Sequence, residues 1–234
     1  MACAPAALAA PVTVTLRIEG ESSTIFEGPV TTDAKTIAKD SSGPHPCDGT
    51  NGGVSTTPGP TMTSALDDGS IVQGFTWAGT YFNGFDDFGI DRIGPDANTS
   101  TAFWGYALNY VPSQLGGCQQ KVQAGDEVLF AYDFFSKTGL LKLTGPSSAS
   151  TGEPVTLKVV DGKDAKPVAG ASVGGELTKA DGTVTLVFSA AGMQQLKASR
   201  SGDVRSNALS VCVHAGDDGT CGTSGPRRQA QVVA

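Results

Sequence analysis

GFTWAGTYFNGFDDFGIDRIG, residues 74–94, sets six aromatic rings and three aspartates among glycines and threonines. The whole chain of 234 residues has only 10 Phe, 4 Tyr and 2 Trp, so this segment concentrates the side chains able to build a core or a ligand platform. Its second half, FDDFGIDRI (85–93), has the aromatic and β-branched content of a strand. Burying one Phe or Trp contributes roughly 1.5–3 kcal/mol, and a small β-domain poor in Leu and Ile depends on such rings. Phe75, Phe85, Phe88, Ile90, Trp104, Leu108, Val128 and Phe130 are therefore expected in the core. The first half, FTWAGTYFN, is looser. Trp77, Tyr81 and Phe82, with Tyr110 further on, are the candidates for an exposed aromatic platform that stacks on a sugar or another small ligand.

The aspartates admit two readings. Neighbouring strand positions point to opposite faces, so Asp86 and Asp87 on an extended segment do not share one site as a glycosidase pair must. As hard oxygen ligands, Asp86, Asp87, Asp91 and Asp96, with Asn98, form a candidate calcium set, although they lack the spacing and closing Glu of an EF-hand loop. Solvated turn carboxylates are the simpler expectation.

Outward from this segment, PVTVTLRIEG (11–20) alternates Val12, Val14, Leu16 and Ile18 with polar residues, and STIFEGPVTT (23–32) follows as a second strand. Residues 40–60 have loop chemistry throughout. TMTSALDDGSIVQG (61–74) suits a short helix capped by Thr63 or Ser64, with Asp67 and Asp68 in its first turn and Gly74 ending it. Residues 101–112 and 126–135 read as two further strands. Composition shifts near Leu140. From 141 to 213, alternating strands at 155–160, 183–188, 193–199 and 207–213, with Asp-Gly turns at 161 and 181, predict an immunoglobulin-type β-sandwich. The fold class is mainly β: residues 11–140 as a β-rich domain with one short helix, 141–213 as the sandwich, and 214–234 as a disulfide loop and flexible tail.

Gly and Pro make up 44 of the residues, charged residues are only 17%, and the net charge is −7. No cluster of Lys and Arg exists to neutralise phosphates, so neither nucleic acid nor an anionic membrane surface is an expected partner. Nothing in the chain is long and apolar enough to span a bilayer. MACAPAALAA (1–10) reads as the remnant of a secretory leader, with cleavage after the Ala7–Ala9 motif and a mature start at Ala10 or Pro11. Cys3 leaves with that leader. Four cysteines then remain, and an even number in an exported chain favours disulfides. Cys212 and Cys221 bracket a turn-rich segment and are expected to pair, which leaves Cys47 with Cys118. His45 and His214 are the only histidines. They lie in different expected domains, and no nucleophile elbow, P-loop or zinc spacing occurs. No enzyme activity, cofactor or structural zinc is expected.

WGYALNY (104–110) and GGCQQKVQAGDEVLFAYD (116–133), following the aromatic segment, resemble the domain of unknown function DUF4430, which is similar to the C-terminal β-domain of transcobalamin and intrinsic factor. The resemblance covers residues 11–143, and the Cys47–Cys118 pair with CDGTNGG is similar to a secreted actinobacterial branch. PVAGASV and ADGTVTLVFSAAG (residues 167–192) resemble an invasin-type Ig-like repeat of surface proteins. In the transcobalamin group the β-domain covers one face of cobalamin while a helical barrel holds the other. No such barrel is present here. The resemblance therefore implies a secreted or cell-surface, non-catalytic protein acting in adhesion, matrix or self-assembly, with other copies of itself or a surface glycan as partners. Strand addition at exposed edges is the expected route to homo-oligomers. The second reading is a carbohydrate- or small-ligand-binding module built on the aromatic platform.

Overall fold

Val14, Leu16 and Ile18 point to one side of strand β1 (Val12–Glu19) and are almost completely buried, which makes β1 the spine of the first half of the chain. The computed structural model describes residues 10–216 and 221. Most of the expected leader, with Cys3, and most of the tail lie outside them. Two compact units are present, one comprising the chain up to Leu140 with Gly202–Val204, the other Leu141–Ser201 and the chain from Arg205.

In the first unit β1 is followed by β2 (Thr24–Thr32), β3 (Lys35–Ile37), β4 (His45–Cys47), helix α1 (Met62–Gln73), β5 (Trp77–Phe82), β6 (Asp87–Ile93), β7 (Asp96–Ala97), β8 (Gly105–Leu108), β9 (Val111–Pro112) and β10 (Glu127–Ala131). The main sheet has the order β2-β1-β10-β8-β9, with β1 antiparallel to β2 and parallel to β10. β5, β6 and β7 form a second sheet, and β3 pairs with β4. One face of the main sheet packs with Met62, Leu66, Trp77, Phe88, Ile90, Ile93 and Trp104 into the principal core.

The opposite face carries Ala107, Tyr110, Leu129, Ala131 and Phe134. It also buries Arg17, whose guanidinium donates to Glu127 Oε1 from Nη2 at 2.7 Å and from Nε at 3.0 Å and lies 5.4 Å from the centre of the Tyr110 ring.

Helix α1 starts two or three residues earlier than its composition suggests. Thr61 is the cap: its hydroxyl accepts from Ser64 N–H at 3.1 Å, and Ser64 Oγ accepts in return from Thr61 N–H at 2.7 Å, a capping box. Asp67 and Asp68 consequently sit beyond the first turn, where Asp67 meets Lys35 at 2.6 Å and Lys39 at 2.9 Å. Gly74 ends the helix at φ 75°. Midway, Gly69 lets the helix lie directly on β1, since an added Cβ would stand 2.6 Å from Leu16 Cδ2.

Two expected segments differ in their local structure. Residues 101–112 form the β8–β9 hairpin because Asn109 and Tyr110 both adopt positive φ (50° and 67°), as a two-residue turn of type I′ requires. The expected loop at 40–60 contains β4 and a 3₁₀ turn at Asn51–Gly53, tied down by the buried Asn51 amide, which donates to Pro46 O at 2.8 Å and Asp86 O at 2.9 Å.

The chain continues with β11 (Gly139–Thr144), β12 (Ser148–Ser150), β13 (Pro154–Asp161), β14 (Ser172–Val173), β15 (Glu176–Leu177), β16 (Thr183–Val187), β17 (Gly192–Leu196), β18 (Ala198–Ser199), β19 (Asp203–Val204), which belongs to the first unit, and β20 (Leu209–His214). Gly139 and Leu140 still belong to the first unit, paired with β19. Leu141–Thr144 pair with β13 and β13 with β16, which makes one layer. The other is made of two three-stranded sheets, β12-β20-β17 and β15-β14-β18. Alternating residues of both layers, including Leu143, Leu157, Val159, Val184, Val211 and Val213, close over one core. This is the expected β-sandwich, with turn glycines such as Gly182 at φ 78° where Asp-Gly pairs stand.

Both disulfides, Cys47–Cys118 and Cys212–Cys221, are formed. The first spans 71 positions and closes the larger loop. Its removal by the double substitution Cys47→Ala/Cys118→Ala is expected to cost about 2–5 kcal/mol. Chemical denaturation followed through Trp77 and Trp104, both in the first unit, should show the loss; an unchanged midpoint would contradict a structural role for this bond.

Candidate functional site

The aromatic segment folds as a hairpin. β5 and β6 pair antiparallel with Tyr81 opposite Phe88 and Phe82 opposite Asp87, and a four-residue loop, Asn83–Asp86, joins them. Asn-Gly at 83–84 is a strong turn signal, and Asp86 takes a left-handed conformation at φ 53°. Phe85 therefore lies in the loop rather than on a strand. The expectation that it is core is overturned: it is 74% exposed. Phe88, Ile90, Trp104, Val128 and Phe130 are buried as expected, while Phe75 and Leu108 are half-buried against the same cluster.

The platform candidates separate in the same way. Trp77, 6% exposed, donates its indole N–H to Asp67 at 3.1 Å and lies under the Lys39 ammonium at 4.7 Å. Burial within this ion-pair network removes it from any surface. Tyr110, also 6% exposed, is covered by Arg17. Tyr81 is half-buried, stacked on His45 with ring centres 3.5 Å apart, and its hydroxyl donates to Asp86. That burial and the Asp86 carboxylate push the Tyr81 hydroxyl up to about 12. Phe82 alone of the four keeps an open face, 47% exposed. It packs over Gly89, where an added Cβ would stand 2.7 Å from the ring.

Phe82 and Phe85 meet edge to face with centres 6.5 Å apart. Together they form the mouth of a cleft of about 420 Å³ whose deeper wall is Asp87, Phe88, Tyr106 and the 114–119 loop. Asp87 is 5% exposed. Its carboxylate accepts Phe88 N–H at 2.7 Å and Cys118 N–H at 3.1 and 3.0 Å. Gly116 stands so close to it that no side chain would fit there. Burial pushes the Asp87 carboxyl up to about 6 despite these donors. Burial, and after it the neighbouring Asp87 charge, pushes the Tyr106 hydroxyl up to about 12.

The expected calcium ligands do not converge. Asp86 receives Gly52 N–H at 2.6 Å, Asp87 faces the Cys118 loop, Asp91 accepts from Thr80 Oγ1 at 2.7 Å, and Asp96 accepts from Glu21 N–H at 3.0 Å. Asn98 spends its amide on Ile90 O and Trp104 N–H, at 2.7 and 2.8 Å. Each is held by different partners, and among the described residues no three His, Cys, Asp or Glu side chains are placed to share a metal ion.

The sequence reading missed the roles of Tyr106, Gly116 and Gln119 at the cleft, and of Ser42 beside His45. Gly-Gly at 116–117 was the available signal, since paired glycines before a cysteine mark a close backbone approach. Ser42 Oγ lies 2.8 Å from His45 Nε2, but the same hydroxyl is also hydrogen-bonded to Asp40, which in turn accepts Tyr81 N–H at 2.6 Å. The group pins the 40–45 loop beneath Tyr81.

Compared with protein-family models and with curated proteins, the chain matches none of them.

In the unfolded chain an aspartate titrates near 3.9. Because Asp87 keeps its proton to about 6 in the fold, the folded state is favoured by acid in this window: its contribution is full below about pH 4 and lost as pH rises through about 6. Unfolding free energies of wild type and Asp87→Asn, measured from pH 4 to 7, should show wild type losing ground relative to the variant as pH rises. A constant difference would give Asp87 the titration of an aspartate in water, and a growing wild-type advantage would mean that the fold favours its charged form; either contradicts the burial effect.

Proposed function

We propose that the chain is an exported, non-catalytic binding protein, its first domain holding a small organic ligand in the Phe82–Phe85 cleft and its second serving as an adhesion or matrix module. The observation that carries this reading is the hairpin that holds two exposed phenyl rings, Phe82 and Phe85, beside a cleft also lined by the buried Asp87 and by Tyr106. Two large rings left in solvent forfeit burial of roughly 1.5–3 kcal/mol each, and such exposure concentrates at interaction sites. Export accords with the two disulfides, and among the described residues no helix is long and apolar enough to cross a membrane. The resemblance to DUF4430 and to invasin-type repeats points the same way, to a surface or secreted protein without a reaction of its own. The expected aromatic platform is thereby moved from Trp77, Tyr81 and Tyr110 to Phe82 and Phe85.

A second reading, self-assembly by strand addition, is favoured by one feature of the sandwich. Among the described residues β16 ends its layer without a further paired strand, and Val187 on it is exposed, as is Leu177 on β15.

A ligand-observed NMR screen of sugars, aromatic acids and amines separates the two. Binding should weaken about tenfold or more in the double variant Phe82→Ala/Phe85→Ala, the equivalent of roughly 1.4 kcal/mol or more. Hits indifferent to both substitutions would contradict the cleft, and a silent screen with concentration-dependent self-association would support assembly instead.

A further inference from the structure

The other buried acids in the first unit are held by side-chain partners. Glu19, with the half-buried Glu127, accompanies Arg17, Asp67 is bracketed by Lys35 and Lys39, and Asp203 accepts Thr138 Oγ1 at 2.8 Å. Asp126 sits in a turn, accepting Asn109 Nδ2 at 2.8 Å and Gln123 N–H at 2.8 Å. Asp87 differs. Its carboxylate is buried in the wall of an aromatic cleft, its partners are backbone N–H groups, and among the described residues no Lys, Arg or His forms an ion pair with it. Of the nearest titratable neighbours, Asp86 next in sequence adds to the negative field, and the Tyr106 and Tyr81 hydroxyls are neutral, so none supplies a positive charge. A buried charge without a counter-charge is costly, and proteins ordinarily pair it.

The walls around that carboxylate suit a particular counter-charge. Phe82, Phe85, Phe88 and Tyr106 present ring surfaces to the same space. Ring faces attract cations, more strongly where water is partly excluded, and a compact or methylated ammonium carries the apolar bulk that fills such a cleft. A sugar would need several hydrogen-bonding groups aimed into the space. The amide groups available there are Gln114 and Gln119, and Gln119 is already engaged, donating to Phe85 O at 2.9 Å and accepting Gly116 N–H at 3.2 Å. A carboxylate or phosphate ligand would face Asp87 directly and be repelled.

We propose that the cleft binds an organic ammonium group, its positive charge set between the Phe82, Phe85 and Tyr106 rings and the Asp87 carboxylate. This rests on the cleft reading above and gives it a ligand class. The arrangement supplies what a cation requires at each side: ring faces at the mouth, a carboxylate held by backbone N–H groups and not by a cation within, and no Lys, Arg or His among the residues that line the space. Occupancy also depends on pH, because protonation of Asp87 removes the attracting charge.

The matched probes are choline and its uncharged isostere 3,3-dimethylbutan-1-ol, titrated by calorimetry and NMR into the intact protein. Choline should bind at pH 7.5 at least about tenfold more tightly than the alcohol. That preference should fall as pH drops through about 6, the value to which Asp87 is pushed. Phe85→Ala, at an exposed loop position, should weaken choline about tenfold. Asp87→Asn, checked for folding by its melting transition, should bring choline down to the alcohol. If Asp87→Asn does not fold, the wild-type pH profile and Phe85→Ala decide. Equal binding of the two probes, with both lost in Phe85→Ala, would overturn the ammonium assignment while keeping the cleft. Failure of both probes at millimolar concentration, with other ligands bound at Phe82 and Phe85, would overturn it likewise. Failure of every ligand class would overturn the cleft reading itself.

Discussion

Cys118 is the residue on which the first domain hangs. Its sulfur is bonded to Cys47, its N–H is given to the buried Asp87 carboxylate, and its carbonyl accepts Gly49 N–H at 2.9 Å. The residues on either side close the helix: Gly117 and Gln120 carbonyls take the N–H groups of Thr63 and Met62, each at 3.1 Å. Those are two of the donors that an α-helix cannot satisfy within itself. One short loop thus fastens the β3–β4 region, the start of α1 and the first residue of β6. None of these elements is long enough to hold its place by its own hydrogen bonds. The glycines at 116 and 117 are required because Asp87 and Thr63 press against the backbone there.

That constraint also makes the cleft. Asp87 is drawn out of water by the Cys118 amide, and the hairpin loop before it then carries Phe85 and Phe82 to the surface around the same space. The two faces of the β5–β6 hairpin are consequently unlike each other. One sends Trp77, Tyr81 and Phe88 inward onto the core and His45; the other leaves Phe82 over Gly89. The division of labour among six rings follows from strand alternation and the position of one turn.

Much of this was legible from residue patterns, and the failures have physical causes. Alternation identified β1, and the Asp-Gly turns with evenly spaced strands identified the sandwich. Gly74 marked the end of the helix. Thr61 escaped notice as its cap because Thr63 and Ser64 are equally good capping residues by type. Phe85 was misplaced because FDDFGIDRI has strand composition from end to end, whereas the Asn-Gly turn at 83–84 and the left-handed Asp86 end the loop inside that run. Tyr110 was misplaced because its burial comes from Arg17, 93 positions away in the chain and invisible to any local pattern. The partnership of Asp87 with Cys118 is equally non-local, and so is the cleft it lines.

The central claim is that Asp87 is a buried carboxylate without a cationic partner, held by the Cys118 loop at the inner end of an aromatic cleft. The most direct measurement is a carbon-13 NMR titration of the aspartate carboxyl groups with Asp87 assigned by substitution. A midpoint near 6 is the result this structure predicts. A midpoint near 3.9, that of an aspartate in water, would contradict it.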